Sequence, residues 1–484
     1  SQRVNFKGTV PYNYASWTFR KAEKFFDVQT WTGNGAGTRT VAHNLGVLPG
    51  MIIVKRTDST SDWLTYNSNG SLYKQMSLNS NAGNNSDKNY SQIATDSTLD
   101  VAHMEGTVGI GNANGATYVA YLFASDAGGF GDDEDENIIK CGGYTTDGAG
   151  GATVNLGFEP QWILSKRITG TQNWVLTDVM RGSSYSSTEA LKPDTTAAEQ
   201  DFGVYGVIPT ATGFINNNSM GAGDFIYIAI RRPMKTPEAG TEVFALQNPG
   251  YPLGSNGLAY TSGFPVDWAL SKEVSATDDW LAMSRLQGAG NRLRTNTSAA
   301  ESGGISSGTF DHMTGWYKTT SANMSWMFKR ATGFMDVVAY SGSGSATTQA
   351  HNLNVVPELM LVKVRDNAGG WQVYASALGA TKYLVLNDTS AAGTSANQWN
   401  NTTPTASVFT VGVYDTNESS RTYISYLFAT LAGVSKVGSY TGTGSDLNVD
   451  CGFSAGARFI LIKRTDSTGD WYIWDSVRGI VAGN

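Results

Sequence analysis

The sequence predicts an all-β protein, a tandem array of ~100-residue β-sandwich-like repeats, and three observations predict it. A lysine is followed eight residues later by a tryptophan at five places: Lys55/Trp63, Lys166/Trp174, Lys272/Trp280, Lys363/Trp371 and Lys463/Trp471. Each lysine closes a short apolar run, such as Met51-Ile52-Ile53-Val54 or Phe459-Ile460-Leu461-Ile462, and a polar turn separates it from its tryptophan. Strand, polar turn and aromatic-rich strand are the marks of a hairpin, and recurrence every ~90–110 residues is the mark of a repeated unit. The composition agrees: charged residues make up 15% of the 484, against 56 Gly, 13 Trp, 22 Tyr and 19 Phe. That balance gives a turn-rich chain enough apolar mass for real cores.

The fourth repeat displays its elements most clearly. An opening strand at 334–340 leads through a Ser/Gly turn to Ala350-His351-Asn352-Leu353. The apolar strand at 359–363 follows, then the hairpin to Trp371-Gln372-Val373-Tyr374. Next come Tyr383-Leu384-Val385-Leu386, the loop Asp388-Thr389-Ser390-Ala391-Ala392, and strands near 407–413 and 422–429. Turn signals every ~8–12 residues favour a sandwich; a ring of large propeller-like blades is the alternative. The array divides into residues 1–24 (the end of a preceding repeat), 25–136, 137–240, 241–333, 334–433 and 434–484 (the start of a fifth repeat). The opening segment supports this, because Ser16-Trp17-Thr18-Phe19-Arg20-Lys21 matches Ser325-Trp326-Met327-Phe328-Lys329-Arg330, which closes the third repeat. The chain therefore reads as part of a longer protein.

A second period lies above the first. Repeats one and four share Ala-His-Asn-Leu and Phe-x-Asp-Val, whereas two and five share Asp-x-x-Arg-Gly, so a three-repeat period of ~308 residues underlies the array. A loop of the form Asp/Asn-Thr-Ser/Thr-Ala-Ala recurs at 194–198, 296–300 and 388–392. Only a few residues link one repeat to the next, as in Ala331-Thr332-Gly333, so the units are expected to stack as a stiff rod.

A formal net charge of −7 offers no clustered basic stripe for a nucleic-acid backbone, and no apolar stretch approaches the ~20 residues of a membrane helix. The two cysteines, Cys141 and Cys451, fall at non-equivalent places in their repeats and read as buried thiols rather than a disulfide framework.

Residues with chemical potential have plain structural readings as well. The recurrent Lys and Trp could form a sugar-stacking platform in every repeat. A strand tryptophan at fixed offset from an apolar strand belongs more naturally in a core, with the lysine capping the strand. His43 and His351 are equivalent positions, and each His-Asn pair is expected to fix a loop through backbone bonds; no zinc spacing exists. The run 132–136, with Asp132, Asp133 and Asp135, is the one candidate for a Ca²⁺ site; a solvated acidic linker is the simpler reading. Gly304-Ile305-Ser306-Ser307-Gly308 matches the nucleophile-elbow pattern in a Ser/Gly-rich loop without α/β context. No catalytic residue or resident cofactor emerges, and the chain reads as a non-enzyme.

The Trp/Tyr-Thr-Gly-x-Gly openings (31–35, 440–444), the Gly-Phe-x-Pro element (157–160) and the Lys-Arg-Thr-Asp…Trp hairpins resemble a domain type of large structural proteins from marine tailed bacteriophages, especially cyanophages. Such proteins often carry concanavalin-A-like lectin domains beside these repeats. The third repeat departs most, with Lys272-Glu273 in place of Lys-Arg and no Tyr-Thr-Gly opening. The resemblance implies a virion structural protein in an external fibre or appendage. Its partners would be other virion proteins and host surface glycans, with no nucleic acid or membrane, and homo-oligomerisation, three-fold by analogy. A bacterial surface adhesin and a glycan-degrading tail protein are the alternatives.

Overall fold

The computed structural model describes residues 15–69, 72–83, 89–91, 93–104, 111–131, 134–147, 151–184, 188–202, 206–217, 221–248, 260–303, 308–318 and 323–479. The protein is all-β, and its sheets are antiparallel. Contacts divide the chain into two compact units, one of residues 1–75 and 86–127, the other of residues 76–85 and 128–484.

Repeats one to four share one sheet plan. In the fourth, the opening strand Met335–Ser341 pairs with the closing strand Thr422–Phe428, which pairs with Leu359–Val364, then Gln372–Ala375, Lys382–Val385 and Gly393–Thr394. The first (Phe26–Thr32, Thr117–Phe123, Met51–Arg56, Trp63–Asn69, Leu72–Ser77, Asn89–Ser91) and second repeats follow the same order, and the third has it with five strands. Opening and closing strands lie side by side, so each repeat ends where it began and only a short link is needed to start the next. The eight-residue Lys/Trp spacing also has its cause here. Lys55 is the cross-strand partner of Trp63, and Lys463 of Trp471, so the two side chains stand opposite each other on one face.

Each repeat covers one face of its main sheet itself. In the fourth, Met360, Val362, Val364 and Tyr374 pack against Phe409 and Val411 of a second, two-stranded sheet (Thr347–Ala350 with Val408–Val411) and against Trp399. In the second, Ile163, Val175, Phe225 and Tyr227 face Val154, Val207 and Phe214 of a three-stranded sheet. This is a sandwich, and no described sheet closes into a blade ring. Trp399 lies on the short helix Ala396–Trp399, which the strand pattern does not anticipate; Ser395 caps its start by accepting from the Asn397 N–H, and left-handed Asn400 ends it.

In the third and fourth repeats the other face of the main sheet is equally apolar, and other repeats cover it. Trp268, Leu270, Trp326 and Phe328 of the third repeat form one cluster with Leu361, Trp371, Val373 and Tyr426 of the fourth, and Phe459, Trp471 and Ile473 of the fifth pack against it. Repeats two apart therefore touch: Trp326 Nε1 donates to Asp475 Oδ2 at 3.2 Å, and Arg458 Nη1 to the Phe244 carbonyl at 3.0 Å. Units strung along a rod would meet only their immediate neighbours. The rod expectation is thus replaced by three sheets around a shared core, which accounts for the three-repeat period. Neither cysteine forms a disulfide, as expected, but both are half-buried rather than buried.

The histidine pairs act as the sequence suggests. His351 Nδ1 accepts the Leu353 N–H at 3.3 Å, so its Nε2 carries the proton and meets the Thr405 carbonyl at 3.2 Å. His43 does the same with Leu45 and Thr95, at 3.3 Å each. Burial pulls both imidazoles below their ordinary range. Protonating Nδ1 would cost the leucine bond, so folded His351 refuses a proton that the unfolded chain accepts. Stability is accordingly retained above the unfolded value near 6.5 and falls as the pH drops through it. Denaturant midpoints of the His351→Gln variant, measured across this window, should show a shallower pH slope than those of the parent.

Tight turns impose a second demand. A Cβ on Gly342 would lie 2.0 Å from the Glu418 carbonyl oxygen, and one on the equivalent Gly33 would lie 1.9 Å from that of Ala113. Gly442, at the matching place in the fifth repeat, has nothing within 4 Å. Gly342→Ala should destabilise the chain by about 1–3 kcal/mol, as overpacking does. Gly442→Ala should shift it by less than ~0.5 kcal/mol. Thermal unfolding of the two variants compares them directly.

Candidate functional site: the clamps and the buried ionic node

The recurrent lysine and tryptophan meet at the joints between repeats. Trp371 is fully buried, and its Nε1 donates to the Arg294 carbonyl of the preceding repeat at 2.8 Å. Lys363 Nζ donates to the Ser298 carbonyl at 3.3 Å, and the backbone N–H of Gly369 reaches the same oxygen at 2.8 Å. The fifth repeat grips the fourth identically. Trp471 Nε1 donates to Val385 O at 3.0 Å, while Lys463 Nζ at 3.2 Å and Gly469 N at 2.9 Å share Thr389 O. The second repeat holds the segment 76–85 in the same way: Trp174 Nε1 on Ser77 O at 2.9 Å, Lys166 Nζ and Gln172 N on Asn81 O at 2.9 and 2.8 Å. In all three clamps the two accepting carbonyls lie four residues apart. In the third and fourth repeats the carbonyl that takes the lysine, Ser298 or Thr389, belongs to the Asp/Asn-Thr-Ser-Ala-Ala loop, and the one that takes the indole, Arg294 or Val385, ends the strand before it.

This arrangement removes the sugar-platform reading from the buried pairs. Trp174 and Trp371 are wholly covered, and so are Lys166 and Lys363. Burial pushes the ammonium groups of both lysines down to about 8. Lys55 is half-buried and donates to Ser61 O across its own turn. Lys272, half-buried, donates to Ala276 O at 2.8 Å, and half-buried Trp280 stacks on Trp326 with ring centroids 5.1 Å apart. The third repeat thus keeps the residues of the clamp without a preceding loop in it.

A different device joins the second, third and fourth repeats. Arg330, 2% exposed, donates through Nη1 to Glu159 Oε1 and through Nε to Asp336 Oδ1, both at 2.7 Å. Its backbone N–H reaches Asp267 Oδ2 at 2.8 Å, and Arg285 Nε meets Asp267 Oδ1 at 3.1 Å. Arg232 lies 3.7 Å from Glu159 and 3.9 Å from Asp267. Asn352 adds Nδ2 bonds to Glu159 at 3.3 Å and to the Ala211 carbonyl at 3.1 Å. Three guanidinium groups and three carboxylates are buried together. Burial alone would depress the Arg330 guanidinium; the adjacent Asp336 and Glu159 carboxylates overcome it and hold the group above its usual range. Asp267 is held below the usual carboxylate range: burial opposes ionisation, and Arg232 and Arg285 outweigh it. Sequence reading missed this node, because its members come from three repeats and Glu159 precedes Arg330 by 171 residues.

The acidic run gives less. Asp132 and Asp133 lie outside the described residues, as do 304–307 of the elbow-like loop. Asp135 sits in a tight turn whose Glu136 pairs with Arg231 at 2.7 Å. Among the described residues no group of three or more His, Cys, Asp or Glu is placed to hold a metal ion, and no helix is long and apolar enough to cross a membrane. A cleft between the second and third repeats, lined by Arg181, Arg285 and Phe310 among others, holds about 50 Å³, far below the ~300–1,000 Å³ of ordinary ligand pockets.

The clamp's two halves should differ in energetic weight. Trp371→Phe strands the Arg294 carbonyl and opens space in the shared core, and should cost about 1–3 kcal/mol. Lys363→Met loses one long hydrogen bond but relieves a buried charge, and should cost less. Equilibrium denaturation of both variants ranks them; a larger loss for Lys363→Met would make the ammonium the principal grip.

No curated protein and no solved structure matches the chain. A family profile does, over residues 13–232 and 318–482. The stretch it omits is most of the third repeat, the one whose hairpin departs furthest from the others and whose clamp holds no preceding loop. The profile covers both units and four of the five clamp hairpins, and the chain belongs to the family described as a domain of unknown function, DUF7483.

Proposed function

We propose that this chain is a non-enzymatic virion structural protein, a segment of a tailed-phage fibre or appendage that assembles with other virion proteins and touches host surface glycans. One observation carries the reading: the most regular residues of the chain, the Lys/Trp pairs, are used to fasten repeat to repeat rather than to line a cleft. A chain whose repeated chemistry serves its own joints is suited to a structural role. The motif likeness to marine phage structural proteins supplies the setting. Glycan contact would be weak at each site and gain from repetition along an oligomer.

Immunogold electron microscopy of virions from the source, with antibody raised against this chain, tests the proposal. Label on a thin projection is the expected outcome. Label on the cell envelope with bare virions would replace the phage assignment with a bacterial adhesin, and loss of polysaccharide viscosity on incubation with the chain would replace a structural role with an enzymatic one.

A further inference from the structure

The turn that follows the strand Thr347–Ala350 is tied to the ionic node through a single residue. His351 is buried, and its surroundings fix it firmly. Its backbone N–H donates to the Ser407 carbonyl at 2.9 Å, its Nδ1 accepts the Leu353 N–H, and its Nε2 meets the Thr405 carbonyl. Its ring lies against Phe409, with centroids 6.4 Å apart. Asn352 stands between the two residues that the Nδ1 bond ties together. The Asn352 N–H donates to Asp336 Oδ2 at 2.8 Å, and its Nδ2 runs across the joint to Glu159 and to the Ala211 carbonyl of the second repeat. The charged groups facing this turn are those of the node. Asp336, on the strand Met335–Ser341, acts on the imidazole directly. Behind it Arg330 holds Asp336 and Glu159, and Arg232 lies beside Glu159. The segment 405–409 presents carbonyl oxygens and an aromatic ring to the histidine, and no charge.

We propose that the His351–Leu353 turn is a proton-operated latch on the joint between the second and fourth repeats. A proton on Nδ1 turns an acceptor into a donor aimed at the Leu353 N–H, and two donors cannot share that space. The turn must rotate to part them. Asn352 lies inside it, so the rotation withdraws the Asn352 amide from Glu159 and from the Ala211 carbonyl. Glu159 keeps Arg330 and the sheets stay folded; what is lost is the direct tie from the fourth repeat to the second. Asp336 favours the proton and burial opposes it, and burial is the larger influence. The latch therefore holds above the ordinary imidazole value near 6.5 and loosens as the pH falls below it. In the smaller unit His43 makes the same turn and the Asn44 N–H bonds Asp27, but the Asn44 side chain is exposed. The same proton there moves an exposed amide.

Hydrogen exchange of the full chain, with rates corrected for the intrinsic effect of pH, tests the latch. On lowering the pH from about 8 to about 5, peptides covering 351–353 and 207–217 should lose protection several-fold, while the core strand Leu359–Val364 keeps its own. His351→Gln should abolish that pH dependence, and His43→Gln, in the smaller unit, should leave it as in the parent. Asn352→Ala retains the histidine and removes the tie, so its 207–217 peptide should already exchange fast at the upper pH. Circular dichroism of each variant guards against loss of fold. Protection that stays constant across the window in the parent would overturn the proposal. So would an equal loss in His351→Gln, which would assign the effect to the carboxylates of the node, or full protection of 207–217 in Asn352→Ala.

Discussion

The main sheets of the third and fourth repeats are apolar on both faces, and each of these repeats carries a cover for only one of them. The outer face receives the repeat's own small sheet. The inner face, with Trp268, Leu270, Trp326, Leu361, Trp371 and Val373, is shielded by the sheets of other repeats. At about 25 cal/mol per Å² of apolar surface, a bare sheet face would remove most of what a small domain gains on folding. A single repeat is therefore not a complete folding unit in the larger unit, and the joint between repeats has the character of a core rather than of a docking surface. The clamps, the short links and the three-repeat period follow from that one shortage of cover.

The ionic node answers a different problem. An apolar core tolerates many arrangements of similar sheets, because hydrophobic attraction has no direction. Six buried charges, five of them joined by hydrogen bonds, tolerate one. Desolvating them costs free energy that their mutual attraction recovers only when Glu159, Arg330 and Asp336 are all in place. The node thus adds geometric uniqueness where repeats two, three and four meet. It occupies the step from the second to the third repeat, where the clamp is not used. In the smaller unit the equivalent carboxylate, Asp27, keeps its bond from the Asn44 N–H but has an exposed lysine, Lys21, in place of the buried arginine.

Much of this was legible from residues alone. Alternating apolar strands and polar turns marked the sheets, and the Lys/Trp spacing fixed the hairpin register, because both signals are local. Equivalent histidines 308 residues apart were readable as loop fasteners, since their chemistry is confined to three consecutive residues and one carbonyl. The clamp was visible in pieces. The hairpin and the Asp/Asn-Thr-Ser-Ala-Ala loop were both apparent, yet what joins them is a set of backbone carbonyls, and any residue supplies those. Glu159 and Arg330 were unreadable for a related reason: no periodic pattern links positions drawn from three repeats. Helix Ala396–Trp399 is too short to give a helical period, and Ser395 ahead of it served equally well as a turn residue.

One detail of the clamp bears on how a joint would answer tension. In each filled joint a single carbonyl takes both the lysine ammonium and a backbone N–H, while the indole holds a second carbonyl four residues back. When tension tries to slide one repeat past its neighbour, these bonds are strained together rather than one after another. Rupture then requires several donors to be released in a single event. A joint of this kind does not peel; it holds until it fails as a whole, and it re-forms only when both carbonyls return to register.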